Sequence, residues 1–317
     1  MFRRLLAPTV AATALFALFV APMPATAEQP TQVREVFAPD GSISRVTVPV
    51  VDQPAAPPAS VVAEVIPIQE TGPSDERFDL VFVGDGYTAD QIATYHEHVV
   101  NRWNELIQVE PFRELKDLFN VWQVNVTSKQ SGVDNDPQQG VDKDTALDMG
   151  FWCGGTERLL CVNETKAQQF ADLARDVDQV VALGNSTKYG GAGGTVATSS
   201  GGNEQAGQIV PHELGHSVGD LADEYDYPND TYDGPEPREV NVSTYDADTM
   251  ADREAKWHTY LGKDSPDGGK IGTYEGAYYH KHGVYRPTEN SLMRSLGRPF
   301  NLVGLDVMRA AIKNKTR

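Results

Sequence analysis

The 317-residue chain has only two cysteines, Cys153 and Cys161. That excludes a cysteine-dense extracellular scaffold and a metal site built from several thiolates. Basic residues are also scarce, 27 Lys and Arg against 45 Asp and Glu, for a net charge of −18. Phosphate polymers would be repelled, so nucleic acid is excluded as a partner. After residue 20 no apolar run approaches the ~20 residues of a membrane span. The one early run, Leu5 to Val20, is broken by Pro8, follows Arg3 and Arg4, and leads to Ala25-Thr26-Ala27. It reads as a secretory signal peptide over residues 1–27, which makes the chain a secreted protein. In an oxidising compartment Cys153 and Cys161, eight residues apart, are expected to close one disulfide over a surface loop.

Histidine is rare as well, with seven residues, yet two of them fall in one short pattern, His212-Glu213-Leu214-Gly215-His216. On a helix, residues four apart share a face, so His212 and His216 can aim their imidazoles at one cation. Glu213 sits one step round, where its carboxylate reaches a water on the same metal and serves as general base. A catalytic zinc takes three protein ligands and leaves a fourth position for water. In metzincin-type peptidases a glycine stands at the seventh place after the first histidine and the third ligand at the tenth. Gly219 fits, but the tenth place is Ala222, which cannot ligate. Asp223, one residue further and past a glycine that lets the chain swing back, is the expected third ligand. Asp220, Glu224 and a distant histidine are the alternatives. Zinc is favoured over calcium because calcium sites are built from oxygen and rarely include imidazole.

The rest of the chain divides into three parts. After the leader, Val33–Phe37 and Ile43–Val50 flank Ala38-Pro39-Asp40-Gly41, the pattern of a β-hairpin. A lone hairpin is marginal, so it leans on the main domain or stays loose. Residues 51–75 are proline-rich and read as a spacer; alternatively 28–75 is a pro-region in which Asp40 blocks the metal. Residues 76–317 have the pattern of one α/β domain, of mixed α+β character. Phe78–Val83 is a buried strand, and Thr88 with Gln91 caps a helix whose Tyr95, Val99, Trp103 and Leu106 recur on one face. The loop region 127–162 carries Asp134, Asp136, Asp142, Asp144 and Asp148, where a calcium site is conceivable although the spacing does not match a calcium loop. Tyr189 to Gly202 is rich in glycine, and the substrate edge is expected around Gly193 to Ser199.

Several motifs recur in order: Val83-Gly84-Asp85-Gly86-Tyr87-Thr88, Pro111-Phe112, Phe119-Asn120-Val121, Ser131-Gly132-Val133-Asp134, Tyr189-Gly190-Gly191, the run 212–225, Tyr285-Arg286-Pro287 and Met293-Arg294. With them the chain, over about residues 76–314, resembles the IgA-peptidase family of secreted bacterial zinc metallopeptidases, which is related to the metzincins. The resemblance implies a zincin-like single catalytic domain with a mixed sheet, an active-site helix and a C-terminal subdomain. It implies Asp223 as ligand, and Ser291-Leu292-Met293 resembles the methionine turn beneath the zinc, with Met293 supporting the ligands by packing. Ser291 stands where the family often has cysteine.

The expected function is therefore a one-zinc endopeptidase. His212, His216 and Asp223 hold the ion, Glu213 is the base, and Tyr225 and Tyr285 are candidates to donate to the oxyanion. Arg294, like Arg286, is placed to bind a substrate carbonyl or to neutralise nearby acids. Two other readings fit: a binding or adhesion module, which would need a closed four-ligand zinc site, and a zinc amidase acting on cell-wall peptides. Protein or peptide is the expected partner.

Overall fold

The computed structural model describes residues 30–50 and 63–316; the leader at 1–27 and the first part of the spacer, 51–62, lie outside the described residues. The chain opens with a two-stranded antiparallel hairpin, β1 (Thr31–Phe37) and β2 (Ile43–Pro49), in register from Thr31 opposite Pro49 to Phe37 opposite Ile43. β3 (Glu64–Gln69) falls within the stretch read as spacer, yet it pairs antiparallel with a later strand and forms one edge of the main sheet. Its Pro67 is tolerated because an edge strand need not donate on both sides.

β4 (Phe78–Asp85) is buried along its whole length. Parallel sheets covered on both faces call for such a near-continuous apolar run, and β4 pairs parallel with β5 (Phe119–Asn125) on one side and β6 (Gln179–Gly184) on the other. Between β4 and β5 come α1 (Ile92–Leu106) and the single turn α2 (Phe112–Leu115). The Thr88–Gln91 capping box forms at the turn leading into α1, and Tyr95, Val99, Trp103 and Leu106 are its buried face. The long loop after β5 and α3 (Glu164–Ala171) cover the opposite face of the sheet. Strand alternation thus makes two cores: Leu80 and Phe82 pack with α1, while Val81 and Val83 pack with Phe170 and Met149.

The loop 127–162 is closed by the Cys153–Cys161 disulfide. Its acids do not converge. Asp144 pairs with Lys129, Asp148 with Lys166, and Asp134 accepts from the Lys143 amide. Among the described residues they form no group of three that could hold a cation together, so nothing in the loop adds support to the calcium expectation.

β7 (Gly191–Ala192) and β8 (Val196–Ser200) complete a six-stranded mixed sheet of order β3-β5-β4-β6-β8-β7. Within the stretch expected to be the substrate edge, Ser199 is buried in β8, between β6 and β7, and β7 is itself bridged on its outer side at Gly191 to Leu159, while Gly193 and Gly194 line the cleft. Thr198, Ser199 and Ser200 are polar residues in a fully buried strand. Their hydroxyls are satisfied inside by the carbonyls of Leu160, Ala206 and Gly190.

α4 (Ile209–Gly219) then crosses that face. The C-terminal part holds β9 (Asp226–Thr231), α5 (Ala247–Asp252), β10 (Tyr274–Ala277), β11 (Tyr279–Arg286) and α6 (Leu302–Lys315). β9, β10 and β11 form a separate three-stranded sheet of order β10-β11-β9, and α6 packs along α4. No helix among the described residues is long and apolar enough to cross a membrane.

Candidate metal centre

α4 places His212 and His216 one turn apart with their Nε2 atoms 3.2 Å from each other. Each ring is fixed from behind. His212 Nδ1 donates to the Leu292 carbonyl at 3.0 Å, and His216 Nδ1 donates to the Leu221 carbonyl at 2.6 Å. With the proton on Nδ1, both Nε2 lone pairs are free and face a common point, the arrangement that orients metal-ligating histidines.

The chain leaves α4 by a left-handed residue, but that residue is Asp220 at φ 47°, not the glycine before it. Asp220 and Leu221 amides bond back to His216 and Gly215, closing the helix end. Gly219 has a different use. A Cβ there would lie 2.6 Å from Met308 Sδ, so its missing side chain lets α6 approach. The turn carries Asp223 to the histidines, with Oδ1 at 3.4 Å from His212 Nε2 and 3.3 Å from His216 Nε2. Its other oxygen accepts the Tyr279 hydroxyl at 2.7 Å. The competing acids go elsewhere. Asp220 is exposed beside Arg238, and Glu224 is buried in a cage of Asn241, Ser291 and Asn301. Ser291 thus donates to Glu224 at 2.7 Å.

A fourth group completes the cluster, and sequence reasoning missed it. Glu35 of β1 brings Oε2 to 3.3 Å from His212 Nε2 and 3.5 Å from His216 Nε2, while its Oε1 accepts the Tyr225 hydroxyl at 2.7 Å. A signal was present: alternation in β1 puts Glu35 on the same face as Phe37, which is fully buried. Asp40, the residue expected to block a metal if 28–75 is a pro-region, instead sits in the hairpin turn and accepts from Ser42.

The residues fit a metal ion. A tetrahedral ion with bonds of about 2.0–2.1 Å has ligand-to-ligand edges of about 3.3–3.4 Å. The five separations given above run from 3.2 to 3.5 Å. Asp223 Oδ1 is buried without a hydrogen-bond partner, as a ligand atom should be. Burial would push His212 down, but Asp223 and Glu35 carry it up to about 10, so the pocket is a sink for positive charge.

Glu213 lies beside this cluster, buried, with Oε1 unpartnered. Burial, and then the charge of Glu35, pushes its carboxyl up to about 7. Gly193 leaves it room: a Cβ at Gly193 would fall 2.1 Å from Glu213 Oε2. A cleft of about 350 Å³ opens here, lined by Arg34, Glu35, Gly193, Glu213, His216 and Tyr279 among others.

Met293 is buried under α4, its Sδ 2.6 Å from where a Cβ of Gly215 would stand. The same segment supplies the Leu292 carbonyl to His212 and the Met293 carbonyl to the Glu224 amide. Arg294 does not face the cleft. It pairs with Asp226 at 2.6 Å and donates to the Glu224 carbonyl, while Arg286 is bonded to the carbonyls of Glu275, Gly276 and Glu289. Tyr285 is not among the residues lining the cleft; its main chain bridges to Ser243. Tyr225 and the unforeseen Tyr279 are the tyrosines whose hydroxyls reach the cluster.

Two imidazoles on one helix, a carboxylate from the following turn and a buried free glutamate beside them, on an α/β scaffold, define the class of metal-dependent hydrolases. The sequence model of the family described as IgA Peptidase M64 matches residues 66–267 and 259–312, and the chain belongs to that peptidase family. A comparison with curated protein sequences gives no match.

Proposed function

We propose that the chain is a secreted zinc-dependent endopeptidase with Glu213 as general base. The observation that carries this reading is the unpartnered, buried Glu213 carboxylate next to His212, His216 and Asp223. A structural metal site has no use for such a group, whereas metal-assisted hydrolysis needs it. Zinc suits two imidazoles and a carboxylate, and when bound it polarises a carbonyl and lowers the pKa of water towards neutrality. Glu213, buried and unpartnered beside the three ligands, takes the proton of the attacking water and delivers it to the leaving amine. The Tyr225 hydroxyl, kept protonated by burial and by the neighbouring Asp223 and Glu35 charges, is our candidate donor to the oxyanion, supported by its reach to the cluster through Glu35. The Leu292 carbonyl holds the His212 ring, and Met293 packs under α4 at Gly215. Secretion is read from residues 1–27.

The closed set of four ligand groups favours one rival, a zinc-containing binding module. Both readings meet in one assay, cleavage of an unfolded general protein substrate by the chain from residue 28 and by its Glu213→Ala variant, at matched zinc. A loss of about 100-fold or more in the variant supports the peptidase. Equal cutting by both refutes the role given to Glu213. If the chain holds one zinc and stays silent even after its hairpin is released, the binding module is favoured.

A further inference from the structure

We propose that the N-terminal hairpin is a tethered inhibitor of its own active centre, with Glu35 as a fourth, removable metal ligand. The proposal rests on the peptidase reading for its meaning, but the contacts stand without it. Glu35 presents Oε2 to the point shared by His212, His216 and Asp223, and Oε1 to the Tyr225 hydroxyl. A carboxylate in that pose copies the carboxylate product of peptide cleavage, with one oxygen on the metal and one on the oxyanion donor. It also fills the position that a catalytic zinc leaves for water.

The hairpin is seated on both walls of the cleft. On the sheet side, Arg34 donates to the Gly193 carbonyl and pairs with Glu164 at 2.6 Å. On the other, the Arg45 guanidinium lies 3.9 Å from the centre of the Tyr279 ring, and the Arg45 amide donates to the Tyr227 hydroxyl at 2.6 Å. Phe37 is buried edge-on against His212 with ring centres 5.6 Å apart. The disulfide loop forms the floor under β2: a Cβ at Gly154 would fall 2.2 Å from Val48 Cγ1. These are contacts of a docked inhibitor, not of a loose leader.

Two observations separate this arrangement from a permanent four-ligand structural site. Glu213 remains buried and unpartnered beside the ion's position. Glu35 belongs to a segment that precedes the residues matched by the family, 66–312, so the three-ligand core is complete without it. A carboxylate tethered in the same chain binds at an effective concentration in the millimolar range, which is lost when the tether is cut. A two-stranded hairpin has little stability of its own to keep it in place.

The test uses the full chain from residue 28 with a recognition sequence for a specific protease set within residues 51–62. It is compared uncut and cut, and in the Glu35→Gln and Glu213→Ala backgrounds, each loaded with one zinc. Acetohydroxamate, a small metal-directed ligand, reports whether the fourth position is open, and the visible spectrum of the cobalt-substituted protein reports the ligand set. The uncut chain is expected to bind acetohydroxamate at least about 10-fold more weakly than either the cut chain or Glu35→Gln. The cobalt spectrum should change in parallel. Equal acetohydroxamate affinity and unchanged cobalt spectra across all three overturn the proposal. Peptidase activity is read separately. Activity already present in the uncut chain, with equal hydroxamate binding, sinks the hairpin and leaves the peptidase. An opened site that never cuts protein supports the hairpin as ligand and sinks the peptidase. If Glu35→Gln fails to retain zinc, the cut wild-type chain decides alone.

Discussion

Asp223 can give only one oxygen to the cluster because Tyr279 holds the other, at 2.7 Å. The hydroxyl fixes the carboxylate's rotation, and it stays protonated because burial and the Asp223 charge both raise its pKa. Tyr279→Phe should leave the fold intact and weaken zinc binding about 10–100-fold, the usual cost of losing a partner that orients a ligand. Competition against a chromophoric chelator measures this directly, and an unchanged affinity would show that Asp223 is held by its backbone alone. The same residues mark what the sequence could and could not disclose. The spacing of His212, Glu213 and His216 dictates a helix and a shared face, so that part of the site was legible. The choice among Asp220, Asp223 and Glu224 was not settled by spacing, since all three follow the helix within five residues of Gly219. Their fates depend on partners from distant segments: Arg238 for one, Tyr279 for the next, and Asn241, Ser291 and Asn301 for the third.

Among the elements, α4 is held by what its glycines leave out. Gly215 and Gly219 sit one turn apart, one over Met293 and Phe300, the other over Met308. A methyl at Gly215 would fall 2.6 Å from Met293 Sδ and 3.1 Å from Phe300 Cε1, and both neighbours are buried. Replacing glycine by alanine inside a helix gains about 1 kcal/mol in propensity. Overpacking a filled core costs about 1–3 kcal/mol. The second effect should win, so Gly215→Ala is expected to lower the urea midpoint, with an unchanged slope. A rise in midpoint would mean that the Met293 side chain swings away at no cost, and its place as a fixed support under the histidines would be lost. β1 teaches the opposite lesson about elements. Its hairpin pattern was plain in the sequence, but what it docks against depends on Gly193, Tyr225 and Tyr279, all more than 150 residues away. Pattern reports the periodicity of a strand and not the surface it meets.

At the scale of the whole molecule the proposed ion is a cross-link. Its ligands come from the N-terminal hairpin, from α4, and from the turn that opens the C-terminal part, so three otherwise separate regions meet at one point. An ion that binds only the folded state stabilises it by about 4 kcal/mol when its free concentration is 1,000 times Kd. For a domain of this size each kcal/mol moves Tm by about 2–4 °C. Removing zinc with a chelator should therefore lower the melting temperature by roughly 10 °C. The comparison with Glu35→Gln carries more information than the drop itself. In the unaltered chain the ion also pins the hairpin, so chelation should free β1 and β2, and amide exchange in residues 31–49 should accelerate with the loss of metal. In Glu35→Gln the hairpin is no longer tied to the ion, and its exchange should be the same with zinc or without it. If chelation speeds exchange in residues 31–49 equally in both chains, the ion and the hairpin are coupled through the surrounding packing rather than through the Glu35 carboxylate. The removable ligand would then lie elsewhere in the contact between the hairpin and the cleft.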